Sequence, residues 1–481
     1  MIKLFLLLIT LPFSLASIYC QGFWDCSRTF ELPNANTTIG HSYNKYYGKG
    51  NIGDPITNFT DVTYQMDDVV FEDDGTTIKC EAGPDACYNN DLNPYEPYFN
   101  GYGSLRYDVY YPLVNGSPVL YNLPAVILFH AGGYAECSNK NLPGISKMCE
   151  EFALRGFIAF NVEYRRGRML DLDDPTYTSV QQELAIYRAC QDVRGAIRTI
   201  LKRQDEHFEN SLYRVNKNQI FIGGMSAGGL AAMNAAYYTT DAMIAETFPT
   251  IGIYSAQQIM GSINADYYYG EPSIEFQPNI KGVLSMWGAI SLPKRFNLVN
   301  NQSSFFAGNT YNPPMIAFAG AKDQVFPLKP STLKQQVFFS SSLTTSPIYN
   351  SESRCLPFNP PFSPYSLENN AASVDLVTGS TANMYKILKT LGVRTELNVD
   401  CEMKHGLDNF SDFGTGNADP DFIETYMVKR SCIFFQDIIN NVINSPSKTT
   451  LFIECENTRG PCDPNYTGCG SNSCPSNFTI D

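Results

Sequence analysis

The chain has 481 residues, with 34 basic and 48 acidic side chains and a formal charge of −14. Hydrophobic residues at 43% and charged residues at 17% describe a core-forming globular protein and exclude a largely disordered one. The acidic balance argues against nucleic acid and anionic membrane as partners, because both would be repelled.

In chain order, residues 1–16 read as an export signal. Lys3 supplies the basic start, residues 4–11 the apolar run, and Ser14-Leu15-Ala16 a small-x-small cleavage site. The apolar run is too short to span a bilayer, and no later stretch reaches the roughly 20 apolar residues that a span needs. Cleavage after Ala16 keeps all 14 cysteines, an even number that suits disulfides in an oxidising compartment. Sequons at Asn36, Asn58, Asn115, Asn301, Asn409, Asn465 and Asn477 point to a glycoprotein. The C-terminus carries no hydrophobic tail for a lipid anchor and no retrieval tetrapeptide. The expected location is therefore extracellular, by secretion, with no stable membrane anchor.

Residues 17–104 are rich in Tyr, Asn, Gly and Asp and predict an N-terminal extension with a few short strands, such as 62–70. From residue 105 the pattern changes to strands alternating with helices, the mark of a mainly parallel sheet covered by helices on both faces. Strands are predicted at 105–111, 125–129, 157–162, 219–223, 283–287, 315–319 and 394–399, several of them continuous apolar runs. Ile186, Cys190, Val193, Ile197 and Ile200 recur at helical spacing. A later helix is predicted to end at Gly392 with a left-handed cap, and another to cover 422–443. This α/β domain is assigned 105–444, with insertions at 239–279 and 324–380 that are candidates for a lid or cap. Residues 445–481 read as a separate small tail, with Cys455, Cys462, Cys469 and Cys474 in disulfides rather than on zinc.

The chemistry concentrates in a few segments. Gly224-Met225-Ser226-Ala227-Gly228 follows an apolar strand and precedes an Ala-rich helical run. A serine on such a sharp turn is strained, and the flanking glycines leave room for the backbone to fold back. Its hydroxyl stands clear of the sheet while the Ala227 N–H lies at a helix start, suited to an oxyanion. Upstream, a strand ends in His130-Ala131-Gly132-Gly133, where Gly132 and Gly133 offer bare backbone N–H groups. This segment resembles an H-G-G-G-type loop, in which the histidine pins the loop, and the resemblance implies that role for His130 rather than a reaction.

The serine needs a base, and the chain has four histidines: His41, His130, His207 and His405. His405 alone follows a predicted sheet strand in the second half of the domain, on a loop at the carboxyl edge, where a base must stand. Asp323, just past the preceding strand, is expected to orient it, with a simple turn role as the alternative. Asp400 is a rival acid, disfavoured by its position at the end of the histidine's own strand.

The order Ser226, Asp323, His405 and these motifs resemble the α/β-hydrolase superfamily, and in particular secreted carboxylesterases and lipases with an H-G-G-G-type loop. Ala131 departs from that pattern, and its methyl group raises the question of a narrowed loop. The segments 157–166 and 187–194 also resemble parts of these enzymes. The resemblance implies a cofactor-free serine esterase acting on a small-molecule or polymer-borne ester, with Gly132, Gly133 and Ala227 holding the oxyanion and no metal. The alternatives are a serine peptidase or lipase of the same fold, or an adhesion protein that has lost catalysis.

Overall fold

The computed structural model describes residues 37–51, 102–134, 140, 142–165, 175–205, 212–248, 256–257, 262–264, 280–293, 302–320, 323, 326, 365–366, 376–400, 405–406, 423–441 and 448–452. The export signal expected at 1–16, the strand expected at 62–70 and the four tail cysteines lie outside these residues.

The described chain begins with β1 (Thr37–Asn51), β2 (Tyr102–Val114), β3 (Ser117–Pro118), β4 (Asn122–Phe129), α1 (Pro143–Leu154) and β5 (Ile158–Val162). It continues through α2 (Pro175–Asp205), β6 (Arg214–Met225), α3 (Ala227–Tyr237), α4 (Asp241–Thr247), β7 (Ile280–Met286) and β8 (Ala289–Pro293). Then come α5 (Gln302–Ala307), β9 (Met315–Gly320), β10 (Tyr365–Ser366), β11 (Leu376–Ser380), α6 (Thr381–Thr390) and β12 (Thr395–Asp400). A π-helical turn (Ile423–Met427), α7 (Val428–Ile439) and β13 (Lys448–Phe452) complete it.

Spatial order in the main sheet is β1-β2-β5-β4-β6-β7-β9-β12-β13, with β3 beside β2. The pairs from β5 to β13 are parallel, and β1 and β2 join antiparallel. Each strand expected from the apolar runs is present, within a few residues of its expected ends.

The period of two sorts side chains into two cores. Ala125, Ile127 and Phe129 of β4, with Ile158, Phe160 and Val162 of β5, belong to a core shared with α2, α3 and α6. Val126, Leu128, Phe157 and Phe221 face the opposite side, among Met148 and Phe152 of α1 and Phe434 and Phe435 of α7. Helices therefore cover both faces, and the central strands are buried on both, which is why they read as unbroken apolar runs. The helix expected to stop at Gly392 does so: Gly392 has φ +70°, and its N–H donates to the Lys389 carbonyl at 3.1 Å.

Three expectations about the periphery change. The tail is not wholly separate, because its residues Lys448–Phe452 form β13, which pairs in parallel with β12, matching Lys448 to Glu396 and Phe452 to Asp400. The Lys-Thr-Thr start of this strand is polar, so it does not stand out as an apolar run. Secondly, the described part of the 239–279 segment packs on the body rather than standing off it. Met243, Ile244, Phe248, Ala256 and Ile263 are buried, and the Phe248 ring meets Tyr187 edge-on at 5.4 Å. Thirdly, β10 and β11 of the 324–380 segment join β8 in a three-stranded antiparallel sheet.

Cysteine pairing also changes among the described residues. Cys149, Cys190 and Cys432 are free and buried, each on a helix. Burial raises the Cys149 thiol well above its usual range and pushes Cys190 up to about 11, so both stay protonated at neutral pH. Of the sequons, Asn115 is described: it is exposed in the β2–β3 hairpin with φ 52°, next to Gly116 at φ 75°. Among the described residues no helix is long and apolar enough to cross a membrane.

Candidate active site

Ser226 stands between the end of β6 and the start of α3, with φ 52° and ψ −116°. A side chain in that region is strained, and the strain is held by close packing. A Cβ on Gly224 would lie 2.4 Å from the Gly228 carbonyl carbon and 2.7 Å from the Phe129 carbonyl oxygen. A Cβ on Gly228 would lie 2.3 Å from the Phe129 oxygen and 2.5 Å from that of His130. The glycines thus allow the turn and also allow α3 to rest against the end of β4. On the other side, the Ser226 N–H donates to the Met286 carbonyl of β7 at 2.9 Å.

The hydroxyl makes no capping bond to α3. It lies 2.8 Å from Nε2 of His405, whose Nδ1 lies 2.9 Å from Oδ2 of Asp323. An ionised carboxylate only accepts, so Nδ1 carries the proton and Nε2 accepts from the serine. The other carboxylate oxygen, Oδ1, accepts the Phe326 N–H at 2.8 Å, and the Phe326 ring lies 5.7 Å from the imidazole. Asp323 is fully buried, while Ser226 and His405 keep 6% and 5% of their surface. The sheet register accounts for this meeting. Asp400, the last residue of β12, pairs with Gly320, the last of β9, so the loops bearing His405 and Asp323 leave the sheet side by side.

His41 is exposed on β1, and His207 lies outside the described residues. His130 is fully buried and stacks on Tyr164 at 4.2 Å and 10°. Its Nε2 lies 2.8 Å from Glu163 Oε1 and its Nδ1 2.7 Å from the Ala131 carbonyl, while the Tyr164 hydroxyl donates to the His130 carbonyl at 2.9 Å. It is fastened to the segment after β5, as a pinning residue requires.

Gly132 and Gly133 follow at φ 119° and 62°, backbone that favours glycine. Ala131 is not among the residues with positive φ, and its methyl group joins the core beneath α1. The departure from glycine therefore strains nothing there. Next comes Tyr134, at φ 64°, whose hydroxyl donates to the Ala227 carbonyl at 2.8 Å. Sequence reasoning missed Tyr134 and Glu163 as parts of this assembly. Tyr134 directly follows the glycine pair and Glu163 lies within the 157–166 segment, but nothing local announces a partner 93 or 33 residues away.

Behind the loop, Arg165 is wholly buried on Asp192 of α2, at 2.8 Å, and also reaches Gln191. The two segments that resembled known enzymes in sequence meet at this ion pair.

A mostly parallel sheet with helices on both faces and a strained serine after a central strand is the arrangement that the resemblance to α/β hydrolases implies. The BD-FAE family model matches residues 107–337, a little under half of the chain, and supports the same superfamily. No curated protein sequence matches the chain. Among solved structures, Thermogutta terrifontis esterase 2 phosphorylated by paraoxon shares 16% identity at TM-score 0.37, covering 71% of this chain and 90% of its own. The butyrate-bound form of that esterase gives 16% and 0.36, with 71% and 90% covered. MGS-M1, an alpha/beta hydrolase from a Medee basin deep-sea metagenome library, gives 12% and 0.32, covering 70% and 93%.

Proposed function

We propose that this chain is a secreted serine hydrolase that cleaves carboxylic esters through an acyl-enzyme. The observation that carries the reading is the continuous hydrogen-bonded chain from the Ser226 hydroxyl through His405 to Asp323, at 2.8 and 2.9 Å. His405 takes the proton of Ser226 as its oxygen attacks the ester carbonyl. Asp323 holds the imidazole in the required tautomer and stabilises its cation. The oxyanion is received by the N–H groups of Gly132, Gly133 and Ala227. Ala227 opens α3, where the first-turn N–H groups have no partner within the helix. The alcohol leaves with the proton from His405, and water then repeats the sequence on the acyl group.

Esters are favoured over amides because the paired glycines resemble the esterase form of this loop. The substrate is a small-molecule or polymer-borne ester, and neither nucleic acid nor a membrane anchor enters the reading.

Hydrolysis of p-nitrophenyl esters of increasing acyl length, beside an anilide and a feruloyl or acetylated-sugar ester, tests the reaction class. Fluorophosphonate labelling at Ser226 with ester turnover is the expected result. Labelling with turnover of the anilide alone would make the protein a peptidase, and neither labelling nor turnover would leave a binding protein. Secretion is tested separately by the N-terminus of protein recovered from culture medium, expected at Ser17.

A further inference from the structure

We propose that Tyr134 is a positioning residue of the oxyanion site, its hydroxyl clamping the Gly132–Gly133 loop to the residue that carries the third donor, Ala227. The proposal rests on the assignment of Ser226 and the three N–H groups above.

Those donors come from two separate pieces of chain. Gly132 and Gly133 lie on the loop after β4, and Ala227 on the first residue of α3. A tetrahedral oxyanion is stabilised only if donors from both pieces stand about 2.7–3.1 Å from one point, so their separation has to be held. Backbone packing holds it on one side, where Gly228 leaves no room for a Cβ against the Phe129 and His130 carbonyls. Tyr134 holds it on the other. Its place in the chain directly follows Gly133, and its Oη donates to the Ala227 carbonyl at 2.8 Å. A carbonyl has two lone pairs, so it accepts this bond beside its helical one.

The phenol is itself held from behind. Its ring meets Tyr164 edge-on at 5.6 Å, Tyr164 stacks on His130, and His130 is bonded to Glu163. Tyr134 sits 1% exposed at φ 64°, a conformation unusual for a residue with a side chain. Any buried tyrosine hydroxyl needs an acceptor, and here the acceptor is the carbonyl of the residue that carries the third donor. Burial raises the phenol well above its ordinary range, so the hydroxyl remains a proton donor across the working pH.

The test is Tyr134→Phe, assayed on a short-chain p-nitrophenyl ester, with rates expressed per site titrated by fluorophosphonate. The expected result is a fall in kcat of about 30-fold with KM within about twofold. The second-order rate of phosphonylation should fall in parallel, because that reaction also builds charge on the oxygen facing the donors. A kcat per titrated site within twofold of wild type overturns the proposal, as does a loss carried by KM. Ser226→Ala measured beside it separates the two readings: a mutant that turns over normally sinks the site assignment and the clamp with it. An inactive Ser226→Ala with an unaltered Tyr134→Phe sinks the clamp alone.

Should Tyr134→Phe not fold, 4-fluorophenylalanine at position 134 keeps the ring and fills the place of the hydroxyl with an atom that cannot donate. Its kcat per titrated site should fall as for phenylalanine, with KM again within about twofold. A kcat within twofold of wild type would overturn the clamp.

Discussion

At the scale of single residues, Ser226 carries both the proposed chemistry and the strain. Its left-handed φ of 52° costs on the order of 1–3 kcal/mol. Ser226→Ala is expected to lower ester hydrolysis by about 10⁶ with little change in thermal midpoint, since the hydroxyl caps no helix. Ser226→Gly should be equally inactive yet more stable than the alanine variant by about 1 kcal/mol, because glycine adopts this backbone freely. Thermal melts of the pair decide it, and equal midpoints would remove the strain argument. Asp323 permits a comparable contrast. Replacing it with Asn keeps the shape but favours the wrong imidazole tautomer, and turnover is expected to fall by about 10⁴. Asp400→Asn is expected to cost less than about tenfold, through a screened charge effect alone. Steady-state rates on one ester rank the two, and the reverse order would displace the acid from the loop after β9.

Elements meet at the site because short connections and glycines let them. Gly228 is the contact between α3 and the end of β4, with a would-be Cβ only 2.3 Å from the Phe129 carbonyl. Gly228→Ala therefore has to push α3 away from the oxyanion loop. The expected outcome is a loss of kcat of at least about 10²-fold, with destabilisation of roughly 1–3 kcal/mol. Activity and urea unfolding measured on the same preparation check both parts. The Arg165–Asp192 pair ties the segment after β5 to α2 with no exposed surface on either side chain. Asp192→Asn should cost about 3–5 kcal/mol, because it leaves a buried guanidinium without its counter-charge.

In the whole molecule, the two cores on either side of the sheet account for the fold, and the periphery is where sequence reading fell short. Residues 445–481 read as an appendage, yet β13 extends the sheet beside β12, the strand that precedes His405. Truncation after residue 445 is expected to lower the thermal midpoint and the rate together, read by differential scanning fluorimetry and an ester assay, and wild-type values of both would show that β13 adds nothing to stability. The three described thiols are inaccessible in the native body. Peptide mapping after alkylation should find Cys149, Cys190 and Cys432 unmodified until the protein is unfolded.

The central strands β4, β6, β7 and β9 were legible in the sequence because a strand buried on both faces is largely apolar, whereas β2 and β12 carry polar residues such as Asp108, Glu396 and Asn398. The elbow serine was legible for a related reason, since its glycines are demanded by backbone sterics within five residues. His405 and Asp323 were reached by chain order and by the few histidines available, although their own segments carry no distinctive pattern. What only tertiary structure decided depends on partners distant in sequence. The bond from Tyr134 to Ala227, the seat of His130 on Glu163 and Tyr164, and the pairing of β13 with β12 are examples. So is the harmlessness of Ala131, whose methyl group finds its place in a core assembled from α1, the π-helical turn and α7. A local motif reports the strain a residue must bear, whereas the group that relieves or uses that strain is chosen by the packing of the whole sheet.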